Sequence, residues 1–228
     1  ENKPDVQAVT DLLARAVNEA KTATDISPNS VEIWENLATM YDNASALVPE
    51  AMDWSVKSLN RASELEPTNP VLIWRLGNDY VSQNNLSKAI EYYQKSINLK
   101  KDYVAAYVSL SGAYESNKEL DKAIETYKNL LPLGVNNSEI LFNFGRLLYN
   151  RSKPDDKGNA EKWWLEAVRI QPNYSNALYR LGLLYESYGE RTKALEYYYK
   201  VKDLNPDNKD IIAKIKSLVF GANATIKK

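Results

Sequence analysis

The 228-residue sequence contains no cysteine and no histidine. Without Cys there is no disulfide, no thiol nucleophile and no thiolate metal site. Without His, the commonest metal ligand and the usual general base are gone, and a serine–histidine triad is impossible. Only eight Gly occur, scattered along the chain, so no glycine-rich phosphate loop can form. Neither sign of charge dominates, with 29 Lys+Arg against 30 Asp+Glu. A broad nucleic-acid footprint would need a clustered basic surplus. No apolar run approaches the roughly 18 residues of a membrane span, so no direct membrane insertion is expected of this segment. The polar stretch Glu1 to Asp5 does not read as a signal peptide. The lack of Cys suits a reduced cytosol and a disulfide-free exterior equally, so it leaves the compartment open.

What is present is apolar surface, at 44% of residues, including 16 Tyr and five Trp. The few Gly and Pro sit between blocks of Ala, Leu, Glu, Lys and aromatic residues, a pattern that favours helices over strands. The blocks recur. Ile73, Leu76, Gly77 and Tyr80 are followed by Ala89, Tyr93, Ser96 and Leu99. Advancing by 34 positions reaches Tyr107, Leu110, Ser111 and Tyr114, then Ala123, Tyr127, Leu130 and Leu133. Another such step reaches Leu141, Phe144, Gly145 and Leu148. The register then slips by three residues before Ala160, Trp164, Ala167, Ile170 and Pro172. The last copy carries Leu178, Leu181, Gly182 and Tyr185, then Ala194, Tyr198, Val201, Leu204 and Pro206. The first carries Trp34, Leu37, Ala38 and Tyr41, then Ser55, Leu59, Ala62, Leu65 and Pro67, with five extra residues forming an enlarged turn near Asn43 to Pro49. Each half has the apolar spacing of one helix face. Small residues such as Gly77 and Ala89 let paired helices approach, and Pro67, Pro172 and Pro206 stop second helices.

These positions resemble the tetratricopeptide repeat family, in five copies at about 29–68, 69–102, 103–136, 137–173 and 174–208. Lys101 and Val135 stand where the family often has Pro, and Leu130 where a small residue is usual. The resemblance implies an all-α, right-handed superhelical solenoid of antiparallel helix pairs. Residues 1–28 read as a leading helix of a degenerate half repeat, with Leu12, Leu13, Ala16, Ala20, Ala23 and Ile26 ahead of Pro28. Residues 209–220 read as a capping helix, and 221–228 as a flexible tail.

No catalytic, cofactor or metal site is expected, and the chain is not read as an enzyme. Carboxylate pairs such as Glu64/Glu66 and Asp155/Asp156 read as solvated, with Asp155–Asp156 opening a helix; an EF-hand calcium loop is absent. By resemblance, a stripe on each first helix lines the concave groove. There Trp74, Phe142, Tyr149 and Tyr179 could anchor a peptide, while Arg75, Asn78, Asn143, Arg146 and Arg180 could bond its backbone or a carboxylate. The competing reading is that some of these pack between neighbouring first helices. Glu32, Glu35 and Asp42 would repel an acidic ligand at one end. Of the carboxylate clamp of chaperone-tail-binding members, only Asn143 and Arg180 are matched. The expected partner is a protein or peptide, with homodimerisation through an end or an aromatic patch left open. The stretch from the leading helix through Ser27-Pro28-Asn29-Ser30, Trp34, Leu37-Ala38 and Tyr41, about the first hundred residues, is also similar to C-terminal repeat regions of bacterial O-antigen ligase/polymerase-like membrane proteins. That similarity implies an extracytoplasmic appendage.

Overall fold

The structure, a computed structural model, describes residues 6–134 and 136–221. Val135, the stretch Glu1 to Asp5 and all of the expected tail but Gly221 lie outside the described residues. Those described form twelve α-helices and no strand. They are α1 (Val6–Ile26), α2 (Val31–Ala44), α3 (Ala51–Leu65), α4 (Pro70–Ser82), α5 (Leu86–Leu99), α6 (Val104–Ser116), α7 (Leu120–Leu130), α8 (Ser138–Arg151), α9 (Asp156–Ile170), α10 (Ser175–Ser187), α11 (Arg191–Leu204) and α12 (Lys209–Gly221). A short 3-10 turn, Leu131–Leu133, follows α7 and ends at left-handed Gly134. The chain divides into two compact units, Glu1–Thr126 and Tyr127–Lys228.

Helix ends follow from local chemistry. Ser30, Asn69, Asn85, Asn137 and Asn208 accept hydrogen bonds from backbone N–H groups of the turns they open, satisfying donors that have no intrahelical partner. Pro70 supplies the fixed φ of a first helical residue. Pro67, Pro172 and Pro206 each stand just after the C-cap of a second helix, at Glu66, Gln171 and Asn205.

In the first unit, Ala38, Leu59, Ala62, Leu72, Ile73 and Leu76 form one buried cluster spanning α2, α3 and α4. A second cluster of Leu37, Tyr41, Ala44 and Ala51 takes Val17 and Ala20 of α1 against it. Burying each large aliphatic side chain contributes on the order of 1.5–3 kcal/mol. In the second unit the core centres on Trp164, Leu147, Leu178, Leu181 and Tyr198, all essentially fully buried. Arg191 donates to the Val219 carbonyl at 2.9 Å, fastening the end of α12 to the start of α11.

Three of the helix pairs approach closely at a glycine. A Cβ on Gly77 would lie 2.5 Å from Tyr93, one on Gly182 2.5 Å from Tyr198, and one on Gly145 2.7 Å from the Trp164 indole. Each ring comes from the second helix of the pair and fills the notch that the missing side chain leaves. In the pair α2–α3 the roles fall to Ala38 and Leu59, a smaller knob meeting a shallower notch.

The two register slips become two distinct turns. The first spans residues 45–50, between α2 and α3. The second, after α8, holds two left-handed residues, Ser152 (φ 56°) and Asp155 (φ 68°). It also corrects one expectation. Asp155 is exposed as expected, but Asp156 is only 2% exposed. The Arg151 guanidinium grips it through Nε (2.9 Å) and Nη2 (2.6 Å), and the Lys153 amide donates to the same carboxylate at 2.8 Å. These bonds hold its carboxyl below the usual range against the opposing effect of burial. The pair is a structural clamp on the turn. No group of three or more acidic side chains among the described residues is placed to hold a metal.

Gly182→Ala should destabilise the chain by about 1–3 kcal/mol through overpacking against Tyr198. Gly112→Ala, on the exposed face of α6 with nothing within 4 Å of its new Cβ, should stabilise by about 0.5–1 kcal/mol through helix propensity. Urea denaturation of the two variants checks both signs.

Candidate functional site

The first helices carry the expected stripe, and the structure sorts its residues by what they touch. In the first unit, Trp74 on α4 is half-buried. Its indole Nε1 donates to Ser109 Oγ of α6 at 2.9 Å, and its ring meets Tyr103 edge-on at 6.0 Å. Arg75 is held by α2. Its Nη2 donates to Thr39 Oγ1 at 2.9 Å, and it pairs with Glu35 and Asp42 at 3.4 Å each. The acidic end expected to repel acidic ligands is therefore partly neutralised from within. Asn78 accepts a 2.7 Å hydrogen bond from the hydroxyl of Tyr93, whose ring lies in the Gly77 notch. Burial pushes that hydroxyl up to about 12.

In the second unit, Phe142 on α8 is buried and meets Tyr174 edge-on at 5.5 Å. Tyr149 lies 5.6 Å from the Trp164 ring. Asn143 accepts from Arg146 Nε at 3.4 Å, which pre-orients the two polar groups one turn apart. Tyr179 on α10 lies 6.1 Å from Tyr198 and is half-exposed. Next to it, Arg180 is half-buried and has no hydrogen-bond or ion-pair partner among the described residues. Glu186 of the same stripe accepts from Tyr198 (2.5 Å) and pairs with Lys214 of α12 (2.9 Å). Burial opposes its ionisation, yet those two bonds hold its pKa below the usual range. Burial, reinforced by the bond to Glu186, raises that of Tyr198. The stripe thus splits into residues committed to neighbouring helices, with Trp74, Arg75 and Phe142 foremost, and residues that keep polar capacity, with Arg180 foremost.

One group escaped the sequence reading. Asp79 on α4 is 5% exposed, and its carboxylate accepts from Ser55 Oγ of α3 at 2.8 Å. Burial and the charge of Asp42 push its pKa up to about 7 against the counter-effects of Ser55 and Arg75. Asp42 Oδ1 is itself buried with no hydrogen-bond partner. The signal was available in the register: the equivalent positions in later copies are Ala113, Leu147 and Leu184, all buried and apolar.

Comparison with known proteins identifies two stretches of the chain. Residues 75–137 and 175–208 match models of the tetratricopeptide repeat family. These segments are tetratricopeptide repeats. Anaphase-promoting complex subunit 3 of Schizosaccharomyces pombe is 23% identical over 192 residues, covering 84% of this chain and 27% of that protein. The human protein O-mannosyl-transferase TMTC3 is 25% identical over 193 residues, covering 84% of this chain and 17% of that protein. The chain spans about a quarter or less of the length of these curated relatives, so neither protein's activity carries over with the match. Among solved structures, YrrB, described as a tetratricopeptide protein with an unusual peptide-binding site, superposes with a TM-score of 0.63 at 21% identity. The superposition covers 88% of this chain and all of YrrB. That likeness shows the fold, an all-helical tetratricopeptide solenoid of helix pairs. The similarity to O-antigen ligase/polymerase-like proteins finds no support. Its residues make local helix-start contacts: Ser30 caps α2, and the Trp34 indole donates to the Pro28 carbonyl at 2.9 Å.

The buried Asp79 makes stability depend on pH. Unfolded, its carboxyl ionises near 3.8; folded, it keeps its proton up to about 7. Between those values the folded state binds more proton, so this group's contribution to stability declines as pH rises from about 4 to 7. Asp79→Asn preserves an acceptor for Ser55 and removes the ionisation. Relative to the parent, its stability should gain at pH 8 compared with pH 5 by up to about 2–3 kcal/mol, the part of the shift that lies between pH 5 and the folded value near 7. Scanning calorimetry at the two pH values checks it.

Proposed function

We propose that the chain is a protein-interaction scaffold, not a catalyst, and that it holds a peptide or partner segment on the first-helix face. In the second unit this face is formed by α8 and α10. The observation that carries the reading is Arg180, a guanidinium with unspent donors beside the half-exposed Tyr179 ring. A planar fork of this kind suits a carboxylate or a backbone carbonyl. Asn143 and Arg146, held in register by their own contact, add polar capacity on α8, and Tyr149 and Tyr179 supply apolar area with a polar tip. In the first unit, Asn78 keeps its amide donors while its oxygen is taken by Tyr93. The contacts of Trp74 with Ser109 and Tyr103 and of Phe142 with Tyr174 commit both to the stack, so the proposed recognition set is Tyr179, Arg180, Asn143, Arg146 and Tyr149. The peptide-binding site named for YrrB fits this reading. Partner identity then depends on side chains that the repeat pattern leaves free.

Peptides selected from a displayed random library against the full chain provide the test. Those that bind should weaken by about tenfold or more, roughly 1.4 kcal/mol, on Arg180→Glu. They should be unaffected by Tyr199→Ser on the exposed face of α11. Undiminished binding to Arg180→Glu would remove the proposal.

A further inference from the structure

The first unit contains a cleft that repeat geometry does not explain. Its volume is about 300 Å³, at the lower end for small-ligand pockets. Leu13 and Val17 of α1, Tyr41 of α2, Leu47 and Val48 of the enlarged turn, and Trp54 of α3 line it. Leu47, Val48 and Trp54 remain 43%, 46% and 50% exposed, an unusual concentration of open apolar surface around one hollow.

Two departures from the repeat build this cleft. The first is the insertion that creates residues 45–50, which brings Leu47 and Val48. The second is Trp54. In three other copies the equivalent position is Lys, and its ammonium lies over the tyrosine of its own helix pair. The distances are 4.8 Å for Lys88 on Tyr80, 5.4 Å for Lys122 on Tyr114 and 4.9 Å for Lys193 on Tyr185. Here the cation is replaced by an indole stacked on Tyr41 at 6.2 Å and 27°. A lysine would cap this tyrosine and keep the surface hydrated. The indole instead extends an aromatic wall into the hollow.

The charge around the cleft selects the occupant. Glu50 is the sole acidic or basic side chain among the residues lining it. Asp53, one turn along, is exposed and accepts from Gln83. The nearby cation, Lys57, lies over the Trp54 ring at 4.1 Å and is not part of the wall. A carboxylate-headed amphiphile would therefore meet an acid and find no counter-ion in the wall, whereas an apolar group beside a positive charge would meet Glu50 favourably. The hollow is too small for a helix and suits one or two large side chains. We infer that this cleft is a second partner site, for a polypeptide segment that inserts a large apolar side chain flanked by Lys or Arg. It is separate from the first-helix face of α8 and α10.

The probes are two capped tetrapeptides, acetyl-Lys-Leu-Phe-Lys-amide and acetyl-Glu-Leu-Phe-Glu-amide, with dodecanoate as the lipid-like control. Each is titrated into the full chain by calorimetry, with the indole N–H resonances followed by NMR. The basic peptide should bind saturably, about tenfold or more tighter than the acidic one. Trp54→Lys, which installs the residue of three other copies, should abolish that binding. Glu50→Lys should reverse the preference between the peptides, which keeps the test decisive if Trp54→Lys does not fold. Arg180→Glu should leave binding of the basic peptide unchanged, which separates this site from the first-helix face. Absence of binding by the basic peptide, equal affinity for both peptides, retention in folded Trp54→Lys, or preference for dodecanoate would each overturn the inference.

Discussion

Ring against bare backbone is the contact on which three of the helix pairs, α4–α5, α8–α9 and α10–α11, depend. Where a second helix presents Tyr93, Trp164 or Tyr198, the first helix presents Gly77, Gly145 or Gly182, and the ring occupies the space a methyl group would need. Packing at this separation converts a large aromatic area into burial and fixes the height of one helix against the other. It also delivers the polar end of each ring to a defined acceptor: Tyr93 to Asn78, Trp164 to the Phe142 carbonyl at 3.1 Å, Tyr198 to Glu186. No large polar tip is left unsatisfied in these notches, as a close-packed interior requires.

The same contact reaches the proposed recognition face. Asn78 and Glu186 are stripe residues, so the aromatic core spends part of their hydrogen-bonding capacity before any ligand arrives. Arg75 is likewise spent on Glu35, Asp42 and Thr39. On the proposed reading, recognition falls to what the scaffold leaves unspent. Arg180 is the clearest case. The cleft at Trp54 follows the same logic in apolar terms, since the cation that elsewhere covers the tyrosine is absent there.

Much of the fold was legible because its determinants recur. Gly77 and Gly182, or Tyr80, Tyr114 and Tyr185, recur in register once the three-residue slip is allowed for, and Asn69-Pro70 announces a helix start. The site was less legible, since its chemistry depends on contacts between repeats that no periodicity encodes. Trp74 and Phe142 looked like groove anchors by spacing, yet their partners Ser109, Tyr103 and Tyr174 lie a repeat away in sequence. Asp156 looked solvated because the Arg151 that buries it is five residues earlier across a turn with left-handed residues. Asp79 and Trp54 were visible as breaks in register, but only the packing shows that one is a buried acid and the other the wall of a cleft.

A double-mutant cycle between Gly77 and Tyr93 tests the central claim most directly. Gly77→Ala, Tyr93→Leu and the combined variant are compared by equilibrium urea denaturation. If the notch and the ring are one unit, the alanine that is damaging against tyrosine becomes tolerable against leucine. The coupling should then be about 1 kcal/mol or more, within the range seen for residues in contact. Additive effects, with the alanine equally damaging against either residue, would contradict the account.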